Sequence, residues 1–181
     1  LTVDKLRRLL RHIPEAAGGS VYNAACYKAA LTMGVYLLLR VGEMPSPKTR
    51  EHDPDEHPNW ADVEILPSVD NPTWMHVHTK ARQPDCYREG VTLKMFANGD
   101  PSCPVAAGAA WLKIRVKSER KQPLFVLADG TYVTRDRLQR VMKAGVELAG
   151  YDKSHFTTHS MRKGGATSLA CANWPKETIM L

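Results

Sequence analysis

Apolar residues recur at helical spacing through the first part of the chain. Leu6, Leu9, Leu10 and Ile13 fall at i, i+3, i+4 and i+7 behind Thr2, a residue type that caps helix starts, and this predicts an amphipathic first helix. Gly18, Gly19 and Ser20 break the pattern. Residues 24–41 are then apolar on nearly every side, which predicts a buried core helix with Arg40 in its last turn. Lys28, Gly34 and Arg40 interrupt that stretch, so it falls short of a bilayer span and no membrane association is expected. Pro45, Pro47, Pro54 and Pro58 forbid a continuing helix and mark a loop that carries His52 and His57.

The period changes next. Short strand-like runs at 63–66, 75–79 and 91–96, separated by polar turns that contain proline, predict a three-stranded antiparallel sheet. Pro104 suits the first turn of a helix over 105–116, and Pro123 ends that stretch. A short apolar run at 124–126 precedes the Asp129-Gly130 turn. Thr134 caps a helix that runs through Leu148, with Gly150 just beyond it. A last helix should start near His159 and fade at Asn173, with Pro175 opening another. The fold class is therefore mainly α with a small three-stranded antiparallel sheet.

Length and composition narrow the picture only a little. A chain of 181 residues is long enough for one well-buried core, so a single domain over 1–181 is expected. The formal charge of +6 favours an anionic partner, although the basic residues are spread along the chain and form no tail. Cys26, Cys86, Cys103 and Cys171 are scattered without a Cys-x-x-Cys pair. That pattern predicts free thiols in a reducing, intracellular compartment, and neither a disulfide framework nor a structural zinc. The chain opens on Leu1 with no methionine, which reads as an excised piece of something longer.

Candidate chemistry gathers at two distant places. Thr158-His159-Ser160-Met161-Arg162-Lys163-Gly164-Gly165 sets a His-x-x-Arg element at the start of a small-residue helix, and Arg40 sits far upstream in Leu39-Arg40-Val41-Gly42-Glu43. Guanidinium groups donate in a planar fork that matches two phosphate oxygens, and a histidine one helical turn away can move a proton on the same group. Arg40 alone at a helix C-terminus could simply complement the helix dipole, and Arg162 alone could be a surface cation. Together with His159 they read as a phosphate clamp. A competing cluster is formed by His52, His57, Asp53, Asp55 and Glu56 in the loop, with His76 and His78 on one face of a strand. A zinc site there would make the protein a metal-dependent hydrolase. That reading ranks last, because such histidine spacing is common by accident and acidic, proline-rich loops are ordinarily solvated.

The order of these pieces resembles the catalytic domain of the tyrosine recombinases, or phage-type integrases, especially the branch found in the Crypton and DIRS-like eukaryotic mobile elements. The resemblance runs through Leu38-Leu39-Arg40-Val41-Gly42-Glu43-Met44, Thr79-Lys80 with Arg88-Glu89-Gly90-Val91-Thr92-Leu93, and Cys103-Pro104-Val105-Ala106-Ala107. It continues with Pro123-Leu124-Phe125 and Asp129-Gly130, and ends on His159-Ser160-Met161-Arg162-Lys163-Gly164-Gly165-Ala166-Thr167.

The resemblance implies a DNA breaking-and-rejoining fold that cuts and religates duplex DNA through a phosphotyrosine bond, with no metal and no cofactor. Arg40 and Arg162 would hold the non-bridging oxygens of the scissile phosphate. Lys80, in the hairpin turn region, would give a proton to the departing 5′ oxygen, with Lys94 on the next strand as a competing basic residue. His159 would accept or return a proton near the attacking oxygen. Glu43 matches an acidic position that supports the first arginine, and Lys163 and Lys94 would contact DNA phosphates.

Relatives also carry an N-terminal DNA-clamping domain and, beyond the His-x-x-Arg helix, a nucleophilic tyrosine. Neither is expected within this chain, which reads as a catalytic core incomplete at its C-terminal end and inactive by itself. Tyr22, Tyr27, Tyr36, Tyr87, Tyr132 and Tyr151 lie in the wrong parts of the pattern and read as packing or surface residues. The intact protein would work as a homo-oligomer on paired DNA sites, in the nucleus if eukaryotic and otherwise in the cytoplasm. The alternative is a noncatalytic DNA-binding module domesticated from such an enzyme.

Overall fold

The computed structural model describes residues 1–39, 46–80, 90–116 and 121–175. Helix α1 (Val3–Ala16) buries Leu6, Leu9, Leu10 and Ile13, the stripe its spacing predicts. Thr2 holds the cap position in extended backbone, but its hydroxyl makes no cap bond and its carbonyl accepts the Leu6 N–H instead, at 2.8 Å. Helix α2 (Val21–Tyr36) begins three residues earlier than expected because Ser20 caps it, its hydroxyl accepting from the Asn23 N–H.

Helix α2 also ends earlier. It stops at Tyr36, Leu37 caps it, and Leu38 turns into the left-handed region at φ 52°. A non-glycine residue there costs on the order of 1–3 kcal/mol, so its surroundings must hold it. Leu37 and Leu39 on either side are buried, 8% and 4% exposed. Helix α2 therefore ends four residues before Arg40, and both Arg40 and Glu43 lie outside the described residues.

The sheet is antiparallel in the order β1 (Val63–Pro67), β2 (Pro72–Thr79), β3 (Val91–Phe96). Its faces differ because side chains alternate along a strand. Val63, Ile65, Met75 and Val77 are buried on one face, while Trp74, His76 and His78 alternate with them on β2 and point the other way. The buried face packs on helix α3 (Pro104–Ile114), where Gly108 lets Met33 of α2, Met75 and Ile65 approach together.

A segment that reads only as a short apolar run turns out to be a core strut. Leu124 and Phe125 are 2% exposed, and Trp111, fully buried, donates its indole N–H to the Leu124 carbonyl at 2.9 Å. Arg115, which caps α3, is also buried, and donates to the carbonyls of Pro123, Leu124 and Val116. Its burial pushes its pKa down, and its donors are spent on backbone. Charge patterning along the sequence does not flag this arginine as an internal tie.

Helix α4 (Arg135–Leu148) starts at the expected cap, with the Thr134 hydroxyl accepting the Arg137 N–H. It packs on α1 where Gly145 faces Leu9 and Ile13. Helix α5 (His159–Cys171) ends in a left-handed Asn173 at φ 57°. The Asn173 N–H reaches the Ala170 carbonyl and the Trp174 N–H the Leu169 carbonyl, a paired closure that satisfies the helix's last acceptors. Among the described residues no helix is long and apolar enough to cross a membrane.

Candidate functional site

The His-x-x-Arg element lies at the start of α5, as its small-residue pattern implies. His159 is the first residue of the helix and exposed; Arg162, one turn later on the same side, is half-buried. The Arg162 Nη1 donates to the carbonyl oxygen of Leu38 at 2.6 Å, across a sequence separation of 124 residues. The left-handed turn at Leu38 thus presents an acceptor to a guanidinium from the other end of the chain.

Two glycines make that approach possible. A Cβ on Gly165 would sit 2.2 Å from the Val35 carbonyl oxygen and 2.6 Å from the Leu38 Cδ2, so only glycine lets α5 lie against the end of α2. Gly164 is pressed equally close on the Leu1 backbone. The Gly164-Gly165 pair therefore sets the depth of α5, and with it the reach of Arg162. The structure draws the helix bearing His159 and Arg162 to the segment that leads into Arg40.

Lys80 follows β2 directly. Its Nζ bonds Asp62 Oδ1 at 2.9 Å, and both side chains are largely buried, 20% and 14% exposed. Asp62 closes a short 3₁₀ turn (Trp60–Asp62) that leads into β1. The sequence reading did not single it out, although an Asn59-x-x-Asp62 spacing at a chain reversal is a capping signature. The Asp62 Oδ2 accepts the Asn59 N–H at 2.7 Å, closing the turn on itself.

The other basic candidates sit elsewhere. Lys94 projects from the middle of β3 on the outward sheet face, 4.0 Å above the Trp74 ring centroid and 5.3 Å from that of Phe96. It stands opposite His76, whose ring meets Trp74 edge-on at 4.4 Å. Lys163 is exposed and lines a hollow shared with Lys5, Tyr151, His155 and Phe156, on the α1 side of α5. Lys5 lies 5.6 Å and 5.5 Å from the Tyr151 and Phe156 rings.

The histidines form two separate pairs. In the loop, His52 Nε2 is 2.7 Å from Asn59 Oδ1 and its ring is 6.1 Å from that of His57; burial, the largest cause, pushes the His52 pKa down. On the sheet, His76 Nδ1 lies 3.6 Å from a Glu64 carboxylate oxygen and His78 Nδ1 lies 3.1 Å from Thr92 Oγ1. Among the described residues no three His, Cys, Asp or Glu side chains converge as a metal-binding group. The described tyrosines are tied into packing: Tyr22 meets Trp111 edge-on, Tyr36 bonds Ser102, Tyr132 meets the His52 ring edge-on, Tyr151 lies near Phe156, and Tyr27 is buried. Tyr87 lies outside the described residues.

Among the described residues, five α-helices and a three-stranded antiparallel sheet form the fold of the tyrosine-recombinase catalytic domain. A crystal structure of the site-specific recombinase XerH bound to its difH substrate, in a pre-cleavage complex, superposes with a TM-score of 0.66 at 15% identity. The superposition covers 99% of this chain and 45% of that recombinase, so the chain spans less than half of its structural neighbour's length. No protein-family model matches the chain. No curated protein is significantly similar to it in sequence.

Proposed function

We propose that this chain is the catalytic core of a DNA recombinase that cleaves, transfers and religates duplex DNA through a phosphotyrosine intermediate, of the Crypton and DIRS-like branch its motifs resemble. The observation that carries this reading is the Arg162 guanidinium reaching Leu38, two residues before Arg40. Two guanidiniums converging on one phosphate supply the charge stabilisation that a pentavalent phosphorus transition state needs.

In the reaction, Arg40 and Arg162 hold the non-bridging oxygens and Glu43 supports Arg40. A tyrosine oxygen attacks phosphorus while His159 takes its proton, the P–O5′ bond breaks, and Lys80 protonates the departing oxygen. No cofactor or metal takes part in these steps as proposed. Lys94 and Lys163 contact phosphates farther along the duplex. The intact protein acts as a homo-oligomer on paired sites, in the nucleus if the host is eukaryotic and otherwise in the cytoplasm.

The test uses the full-length protein and a nicked suicide duplex, in which the released fragment diffuses away. A protein–DNA adduct that survives SDS is expected, and Arg162→Ala should reduce its rate by about 10²–10³-fold, the usual loss for removing one charge-stabilising donor. DNA binding whose affinity falls steeply with salt, without any adduct, would instead establish the noncatalytic module.

A further inference from the structure

We infer that Asp62 is a positioning residue for Lys80: it fixes the ammonium at the end of β2, where it can be delivered to the leaving oxygen. The inference rests on the recombinase reading above and goes beyond it. Nothing in the motifs that carry the resemblance assigns Asp62 a role.

A lysine stem has four rotatable carbons, and a proton donor must be held near its target to act. The backbone alone cannot do this for Lys80, whose ammonium lies at the far end of that stem from the residue just after β2. Asp62 supplies the fixed point. One of its oxygens binds Lys80 Nζ at 2.9 Å, and the other accepts the Asn59 N–H at 2.7 Å, so the carboxylate cannot swing with the lysine.

The turn that holds Asp62 is itself tied down. Asn59 is buried and its amide donates to the Pro54 carbonyl at 3.0 Å. The Trp60 N–H reaches the Gln122 carbonyl and the Leu124 N–H the Pro58 carbonyl. Arg115 binds the carbonyls of Pro123 and Leu124 from inside the core. A continuous set of bonds thus runs from the core arginine through the strut and the 3₁₀ turn to the lysine ammonium. The pair is also largely desolvated, so neither charge can leave the other without standing uncompensated.

The chemical consequence is specific to one step. When the P–O5′ bond breaks, the 5′ oxygen leaves as an alkoxide unless Lys80 transfers a proton and becomes a neutral amine. If a sulfur bridges at that position, the leaving group is a thiolate. Thiols ionise near pH ~8.5 and water near ~15.7, so sulfur departs without the proton. A residue that acts through Lys80 matters for oxygen and not for sulfur.

The experiment measures adduct formation by the full-length protein on duplexes with oxygen or sulfur at the bridging 5′ position. Asp62→Asn is expected to slow the oxygen substrate by about 10- to 100-fold, part of the contribution of a general acid, and to leave the sulfur substrate within about twofold. Lys80→Ala should show the same pattern with a larger loss, Asp62→Glu should restore part of the rate, and Arg162→Ala should lose activity on both substrates. Equal losses by Asp62→Asn on both substrates, or none on oxygen, would overturn the inference while leaving the recombinase reading intact. Absence of any wild-type adduct on both substrates would remove the recombinase reading and the inference with it. A second measurement needs no variant. Trace acetylation of the wild-type protein should modify Lys80 severalfold more slowly than Lys113, whose partner Asp70 is exposed, and equal rates would refute the pairing.

Discussion

Replacing Gly165 by alanine probes the contact that seats α5 against the end of α2, and the sign of its effect is diagnostic. In an ordinary helix interior the change stabilises by roughly 0.5–1 kcal/mol, because alanine loses less backbone freedom on folding. At Gly165 the new methyl carbon would lie 2.2 Å from the Val35 carbonyl oxygen, where contacts under 3.0 Å essentially never occur. Helix α5 must then move outward by roughly 1 Å, since backbone cannot fold away as a side chain can. The Arg162–Leu38 bond, 2.6 Å in the native structure, stretches to about 3.6 Å and ceases to be a hydrogen bond. Overpacking costs about 1–3 kcal/mol and losing a charged hydrogen bond about 1.5–3, so a net loss near 3 kcal/mol is expected. For a domain of this size that lowers the melting temperature by about 6–12 °C, read by circular dichroism. DNA affinity should fall in parallel, because Arg162 no longer stands beside the segment leading to Arg40. A Gly165→Ala protein that melts at or above the wild-type temperature and binds DNA as tightly would show that α5 is not seated by this contact.

Two further substitutions test the framework. Arg115→Ala leaves the Pro123 carbonyl buried without its donor and the Leu124 carbonyl with the Trp111 indole alone, and about 2 kcal/mol of stability should disappear in urea unfolding, with the Leu124 amide exchanging faster; a loss under about 1 kcal/mol would refute its role as a core tie. At Asp100, hydrogen bonding from the Arg7 guanidinium, helped by Ser102, outweighs burial and holds the carboxyl down to about 2, from an ordinary 3.8. A carboxylate depressed in the folded state stabilises above its unfolded pKa, and that share is lost as pH falls through the folded one. The stability gap between wild type and Asp100→Asn should therefore be constant above about pH 4 and shrink between pH 4 and 2. A gap that does not change over that interval would place Arg7 elsewhere in solution.

What the amino-acid order settled by itself is local. The Leu6, Leu9, Leu10, Ile13 stripe became the buried face of α1, the alternation over 91–96 became β3, and Thr134 with Gly150 bounded α4, because burial periodicity and capping act within a few residues. The His159-x-x-Arg162 spacing likewise fixed both side chains on one turn of α5. The end of α2 escaped that reading: apolar residues continue through Val41, but the chain leaves the helix at Tyr36 and turns left-handed at Leu38. That departure is met by partners remote in sequence, Arg162 at the Leu38 carbonyl and Gly165 against Val35, which no local pattern encodes. The burial of Arg115 and the choice of Asp62 as the partner of Lys80 were decided the same way. A charged side chain looks alike in the sequence whether it meets water, a backbone carbonyl or a carboxylate; only the packing of distant segments determines which of these it finds.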